Sequence, residues 1–182
     1  MRVLVVGANG LLGSNVIAKA IGRGWTVCGT YYSTEPTFDI PLSEFDLEDS
    51  ESFDEVLDDH DPDVVINSAA MTDVDACEAN AKRAHKLNAV APRELAAQCS
   101  AIDVSFVHVS TDYVFDGETA TPYTETDEPN PVQEYGKSKL AGEQAVMEYA
   151  QDALLPRLSF VWGIHRSTNE FTGFPAWVRS GL

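Results

Sequence analysis

The chain has 182 residues, 44% of them hydrophobic and 23% charged, a composition that supplies one core of ordinary size and argues for a single folded domain. Twelve Lys and Arg against 29 Asp and Glu give a formal net charge of −17, which argues against a nucleic-acid backbone or an anionic membrane surface as the main partner. No apolar run reaches the roughly 18 residues of a membrane span, and the start lacks a signal-peptide pattern, so no membrane association and a cytoplasmic location are expected.

Val3, Leu4, Val5 and Val6 are uninterrupted apolar residues, the pattern of a parallel strand whose two faces are both covered. A helix is expected over 11–21, closed by Gly22 and Gly24, then a second strand over 25–30, which completes a βαβ unit. The same alternation continues with a short strand over 43–47, a helix over 50–59, a strand over 63–67, one or two helices over 73–100 broken near Pro92, and a strand over 104–109. Residues 119–131 carry three prolines and many Thr and acidic residues and read as a surface loop. A helix over 131–149 follows, with Asn130 as cap, Pro131 in its first position and Gln133 three residues past the cap; 153–161 reads as a sixth strand.

Cys28, Cys77 and Cys99 are odd in number and far apart, so they suit buried fillers rather than disulfides or a Cys-x-x-Cys site. His60, His85, His108 and His165 show no ligand spacing, and no metal is expected. The acidic excess is densest from Glu44 to Asp63, where a solvated helix face is the simplest reading. Only five basic residues are Lys, and dense carboxylates with few lysines suit a protein living in concentrated salt, where screening removes self-repulsion.

Gly7, Gly10 and Gly13 follow the first strand and open the first helix, the context that a dinucleotide-binding turn requires. Gly7 suits the tight turn, Gly10 a close approach of pyrophosphate to backbone, and Gly13 close packing of helix on strand, while free N–H groups at the helix start attract phosphate. Where an acidic residue usually meets the adenosine ribose at the end of the second strand, this chain has Thr30, Tyr31, Tyr32 and Ser33. With no carboxylate to repel a 2′-phosphate, yet no Arg or Lys to attract one, the cofactor is NADP or NAD, with NADP favoured. Tyr135 and Lys139 lie four apart on a helix and project from one face, where a phenol and an ammonium can reach one bound molecule.

The glycine spacing and Tyr135-x-x-x-Lys139 resemble the short-chain dehydrogenase/reductase superfamily. The run from Ser110 to Gly117, the run from Tyr135 to Glu143, Asn67 to Glu78, and Asn88-Ala89 resemble, within its extended branch, the dTDP-4-dehydrorhamnose reductase family. The resemblance implies an α/β fold: a Rossmann-like doubly wound parallel sheet with helices on both faces and with the C-terminal substrate lobe largely missing. An NAD(P)-binding domain over 1–163 would precede the start of a truncated substrate-binding region over 164–182.

By that resemblance, the activity is NAD(P)H-dependent reduction of the C4 keto group of dTDP-4-dehydro-6-deoxy-L-mannose, a nucleotide sugar. Tyr135 would act as general acid, Lys139 would hold the nicotinamide ribose and favour the phenolate, and Thr111 would bond the substrate carbonyl. Asp112 and Phe160 are implied substrate contacts. Gly10, Leu11 and Leu12 would meet the phosphates, Thr30 the adenosine ribose, Asp46 and Leu47 the adenine, Ala69, Ala70 and Met71 would contact the cofactor beside the central strand end, and Val109 would lie near the nicotinamide. Tyr113 stands where a 4,6-dehydratase carries an acidic residue, which disfavours dehydration. A sugar-nucleotide epimerase, or a non-catalytic regulatory subunit like that of methionine adenosyltransferase, stays open.

Two departures stand out. Phe160-Val161-Trp162 replaces the family's Trp-Val-Tyr, and the family continues for roughly a hundred residues beyond this point, a length suited to a small lobe. Apolar surface around Phe171, Phe174 and Trp177 would then drive association into a homo-oligomer.

The carboxylate density predicts salt-dependent folding. In thermal melts, Tm should be several degrees lower in dilute buffer than in molar salt; an unchanged Tm removes the salt-adapted reading.

Overall fold

The computed structural model describes residues 1–173. Five parallel strands form the main sheet: β1 (Arg2–Val6), β2 (Thr26–Tyr31), β3 (Leu42–Glu44), β4 (Val64–Asn67) and β5 (Ser105–His108), in the order β3-β2-β1-β4-β5. β1 is central, and its residues alternate between two cores. Val3 and Val5 face α1 (Leu11–Gly22) with Ile17, Ala20 and Val27. Leu4 and Val6 face the opposite side, where Phe53, Leu57, Leu95, Cys99 and Val146 arrive from α2 (Phe53–His60), α5 (Ala91–Ala101) and α6 (Glu134–Tyr149). The run of apolar residues in β1 is thus explained by helices on both faces.

The α1 face is not covered to the same width. Over β4 and β5 on that side, Val64, Ile66 and Val107 are only partly buried, and Leu154, bridged to Val107, is 64% exposed.

Several expected boundaries move, each for a local reason. The third strand ends at Glu44, because Asp46 caps a 3-10 turn over Leu47–Ser52 by accepting from the Glu48 N–H. α2 therefore starts at Phe53, and its Asp54, Glu55, Asp58 and Asp59 are exposed while Phe53, Val56, Leu57 and His60 are buried: the acidic run is a solvated face.

The helical stretch after β4 breaks at Asn80 rather than near Pro92. Asp73 caps α3 (Val74–Ala79), and the Asn80 side chain caps α4 (Ala81–His85) by accepting from the Arg83 N–H. Pro92 instead sits in the first turn of α5, directly after a π-helical turn over Lys86–Val90, where a missing N–H costs little.

α6 begins at Glu134, not at Pro131. Asn130 does not cap it, since its amide donates to Asp116, and the Glu134 N–H is accepted by Glu78 of α3. The sixth strand is reduced to β7 (Arg157–Leu158), which pairs with β6 (Ser110–Thr111) beyond the break at Val109. Residues 154–156 still run beside β5, with the His108 N–H donating to Leu154 O and the Ser110 N–H to Pro156 O. β8 (Trp162–Ile164) and β9 (Phe171–Gly173) form a separate hairpin. Phe160, Trp162 and Phe171 are exposed, and Trp162 meets Phe171 edge-on; Phe174 and Trp177 lie outside the described residues. All three cysteines are buried and unpaired, and burial pushes the Cys28 thiol up to about 11 and that of Cys99 to about 12.

Gly142 decides how closely α6 lies against the π-helical turn. A Cβ there would stand 2.1 Å from Asn88 O, whereas one at Gly22 meets nothing within 4 Å. Gly142→Ala should cost about 1–3 kcal/mol in urea unfolding through forced overpacking, with Gly22→Ala neutral or stabilising. Equal effects at the two glycines would remove the close approach as the reason for Gly142.

Candidate active site

At the C-terminal ends of the parallel strands the chain leaves β1 toward one side and β4 toward the other, and a crevice opens between the two connections. It forms a cleft of about 690 Å³, well within the range of small-molecule sites. Gly7, Gly10, Leu11 and Leu12 form its floor; Thr30 to Thr34, Asp46 and Leu47 one end; Ala69, Ala70 and Val109 the middle; and Thr111, Tyr135, Lys139 and Phe160 the other end.

The floor presents backbone donors. Gly7 has φ +86°, and a Cβ on it would meet Ala69. Gly13 is not on the wall: it lies beneath the loop, where a Cβ would come 2.1 Å from Gly7 O, so its part is packing. α1 starts at Gly10 with no side-chain cap and no acidic residue in its first turn, leaving its leading N–H groups for a ligand. In a chain of net charge −17, the cleft wall among the described residues carries one carboxylate, Asp46, against two basic side chains, Arg83 and Lys139. Asp46 is occupied in capping, and Arg83 pairs with Glu48 at 2.7 Å.

From outside, residues 164–168 hold this loop. The His165 Nδ1 accepts from the N–H groups of Ser167 and Thr168, so its Nε2–H donates to Asn9 O at 2.8 Å. Arg166 N–H donates to Ser14 Oγ, and the Asn15 amide to Ile164 O. Sequence reasoning missed this strap, which joins residues about 150 apart and has no local signal.

At the far end, Tyr135 is mostly buried, and Tyr113 meets its ring edge-on at 5.7 Å. Burial raises the phenol above its ordinary value, and the Thr111 hydroxyl facing it opposes that rise. Thr111 is 5% exposed; its Oγ1 accepts from the Tyr113 N–H and donates to Asp112 Oδ1. Asp112 itself lies off the wall, in the 3-10 turn over Asp112–Val114.

Lys139 is buried to 1% exposure. Its Nζ donates to Val109 O at 2.7 Å and lies 3.1 Å from His108 Nε2. Burial lowers its pKa to about 7, against a smaller opposing pull from Glu143. The expectation that Lys139 favours the Tyr135 phenolate is therefore not what the free cleft displays: the amine is engaged with β5, and the phenol is shifted up.

Met71 is also off the wall, because the Asn88 side chain takes both its N–H and its carbonyl, at 2.8 and 2.9 Å. Asn88 further donates to Ser138 Oγ of α6 at 3.0 Å, and so fixes the helix that carries Tyr135 and Lys139. Among the described residues no group of three or more His, Cys, Asp or Glu is placed to hold a metal, and no helix is long and apolar enough to cross a membrane.

A nicotinamide dinucleotide fits this cleft by its donor set: uncapped N–H groups at the α1 terminus for pyrophosphate, hydroxyls at Thr30 to Thr34, and Lys139 with Tyr135 at the opposite end.

Comparison with known proteins agrees. The family model described as the RmlD substrate binding domain matches residues 1–174. A probable low-salt glycan biosynthesis reductase, Agl14, from Haloferax volcanii is 53% identical over 182 residues, covering all of this chain and 61% of that protein. The crystal structure of a hypothetical dTDP-4-dehydrorhamnose reductase from Sulfolobus tokodaii superposes with a TM-score of 0.85 at 38% identity, covering all of this chain and 62% of that one. A dTDP-4-dehydrorhamnose reductase from Bacillus anthracis in complex with NADP superposes at 0.77 with 30% identity, covering 90% of this chain and 55% of that one. The chain thus spans less than two thirds of the relatives it matches.

The lowered pKa of Lys139 gives a linkage prediction. Between about 7 and the ordinary lysine value, the unfolded chain binds a proton that the folded one does not, so folding stability gains with rising pH through this group. Relative to Lys139→Met, the native chain should gain stability from pH 7 to 10 in paired urea titrations; parallel pH curves would mean that Lys139 is charged in the fold.

Proposed function

The chain belongs to the RmlD substrate binding domain family, and on that premise we propose that it carries the cofactor site and reacting side chains of an NAD(P)H-dependent sugar-nucleotide reductase. The observation that carries this reading is the convergence of Thr111, Tyr135 and Lys139 on the cleft floored by the glycine loop. Residues 1–163 would form the cofactor domain and 164–182 the start of the substrate-binding region. The substrate proposed is dTDP-4-dehydro-6-deoxy-L-mannose, reduced at C4.

Reduction of a ketone needs a hydride on carbon and a proton on oxygen. The bound nicotinamide supplies the hydride. Tyr135 holds the proton: its raised pKa keeps the phenol protonated at neutral pH, the form that a reductive step consumes. The Thr111 hydroxyl, turning from Asp112, would bond the same carbonyl oxygen and hold it toward the phenol. Lys139 would hold the nicotinamide ribose from Val109, and the α1 N-terminus the pyrophosphate. NADP is the preferred cofactor, because Thr30 to Ser33 present hydroxyls and no carboxylate where a 2′-phosphate would lie. Phe160, on the wall at the open end, would lie against the sugar.

The test is titration of NADPH and NADH into the chain, followed by turnover with the keto sugar nucleotide in a full-length form. NADPH should bind more tightly than NADH. Tyr135→Phe should leave cofactor affinity within about twofold while lowering kcat by roughly 10²- to 10⁴-fold. Unchanged turnover would remove Tyr135 as the acid, and failure of a folded sample to bind either nucleotide would remove the cofactor site.

A further inference from the structure

Asn67, His108 and Lys139 form a continuous buried row, at 0%, 0% and 1% exposure. The direction of each hydrogen bond in it follows from its first member. The Ala69 N–H can only donate, and it points at Asn67 Oδ1, which fixes the amide. Asn67 Nδ2 therefore donates to His108 Nδ1 at 3.1 Å, so that ring nitrogen is an acceptor and carries no proton. The proton of the neutral ring sits on Nε2, which faces Lys139 Nζ at 3.1 Å. An ammonium there would set donor against donor. Lys139 has a second partner, Val109 O at 2.7 Å, which accepts only, so an amine that donates to Val109 and accepts from His108 satisfies every atom in the row.

We infer that Asn67 and His108 hold Lys139 as a neutral amine in the free chain, through a fixed Nε2–H tautomer of His108. They are positioning residues that act through Lys139.

The other groups around Lys139 do not reverse this assignment. On α6, Tyr135 lies one turn before it and Glu143 one turn after it. Glu143 would favour an ammonium, but its carboxylate is held by the Arg157 guanidinium of β7 at 2.6 Å and by the Ser110 hydroxyl of β6. From β5 the titratable neighbour is His108. Cys77 of α3 and Asp112 and Tyr113 of the 3-10 turn act on Tyr135. Burial also moves both bases toward their neutral forms, His108 well below its ordinary value and Lys139 to about 7.

The assignment for the free chain stands on the hydrogen bonds alone. Its consequence for catalysis rests on the function proposed above: Tyr135 has no cation beside it until a ligand reaches Nζ with an acceptor and draws a proton onto Lys139. Cofactor binding near neutral pH would then take up a proton.

Nitrogen NMR of labelled imidazoles in the 182-residue chain reads the tautomer directly, with His60, His85 and His165 substituted one at a time for assignment. His108 should be the Nε2–H form, and the labelled Lys139 side chain should titrate near neutrality. Asn67→Asp keeps an acceptor for Ala69 N–H but presents a second acceptor to His108 Nδ1. It should switch the ring to the Nδ1–H form and raise the proton affinity of Lys139 at least tenfold. A native Nδ1–H tautomer, or a native Lys139 titrating at the ordinary value of about 10.4, overturns the inference, and both are read in the unmodified chain even if the Asp variant does not fold. A chain that binds no nucleotide yet shows the Nε2–H tautomer and a near-neutral Lys139 would sink the proposed function and leave this assignment standing.

Discussion

The pairing of β1 with a parallel strand on each side is the constraint on which the cleft depends. Its register sets Val6 level with Thr30 of β2 and with Asn67 of β4, and Asn67 level with His108 of β5. β1, β4 and β5 therefore end in one row, with β2 running one residue beyond it, and the segments that follow start from nearly the same height. The loop after β1 is then tied down from both sides, by Ala8 N–H to Thr30 O and by Ser68 N–H to Val6 O. Side chains far apart in sequence become neighbours because the ladder counts them out, and Asn67 and His108 meet without any local motif. A one-residue slip in β4 would turn Asn67 to the opposite face and disconnect the row.

The second requirement is a rigid mount for α6, since a helix bearing both Tyr135 and Lys139 must not roll. Three contacts prevent it. Gly142 lets the helix backbone settle on Asn88, the Asn88 amide reaches Ser138, and Glu143 is gripped by Arg157 and Ser110. Arg157 also lies over the Phe115 ring at 5.1 Å, so the guanidinium is itself stacked in place. The Glu143 side chain is buried while Arg157 keeps about a quarter of its side chain exposed, so removing Arg157 would leave a buried carboxylate without its cation, the costlier of the two deletions. The π-helical turn at Lys86–Val90 belongs to the same device: Asn88 lies within it, its carbonyl stands at Gly142 of α6, and Pro92, four residues on, has no N–H to take that carbonyl.

What was legible in the sequence follows from the range of the forces involved. The apolar run of β1, the glycine loop and the four-residue step from Tyr135 to Lys139 are local patterns, and the structure places them on the elements expected. The cap at Asn130 misled because its amide found Asp116, fourteen residues away, and the true start of α6 is fixed by Glu78 from another helix. Pro92 looked like a helix breaker, yet a proline in a first turn disturbs little, and the break fell at Asn80, whose side chain competes for backbone N–H. Met71 and Asp112 lie in the right segments, but which way they face was settled by Asn88 and by the 3-10 turn. His108 and His165 carried no signal at all, since their partners arrive only on folding.

The charge distribution links the fold to the ligand proposed for it. At a net charge of −17 the long-range field of this chain repels any dinucleotide, although the cleft itself is close to neutral and the end proposed to take pyrophosphate presents backbone dipoles. A field from dispersed surface carboxylates is lost beyond about 10 Å at 0.1 M salt and sooner at higher ionic strength, whereas the contact between phosphate and uncapped N–H groups acts within hydrogen-bond range. Salt therefore removes the repulsion faster than the attraction. Neutral Lys139 works in the same direction, for an uncharged amine spares the buried end of the cleft a desolvation penalty until a ligand is there to share the proton. On the proposed function, recognition in so acidic a protein would be left to short-range groups: the glycine-loop amides, the hydroxyls at the end of β2, and an amine whose charge is set by the row behind it.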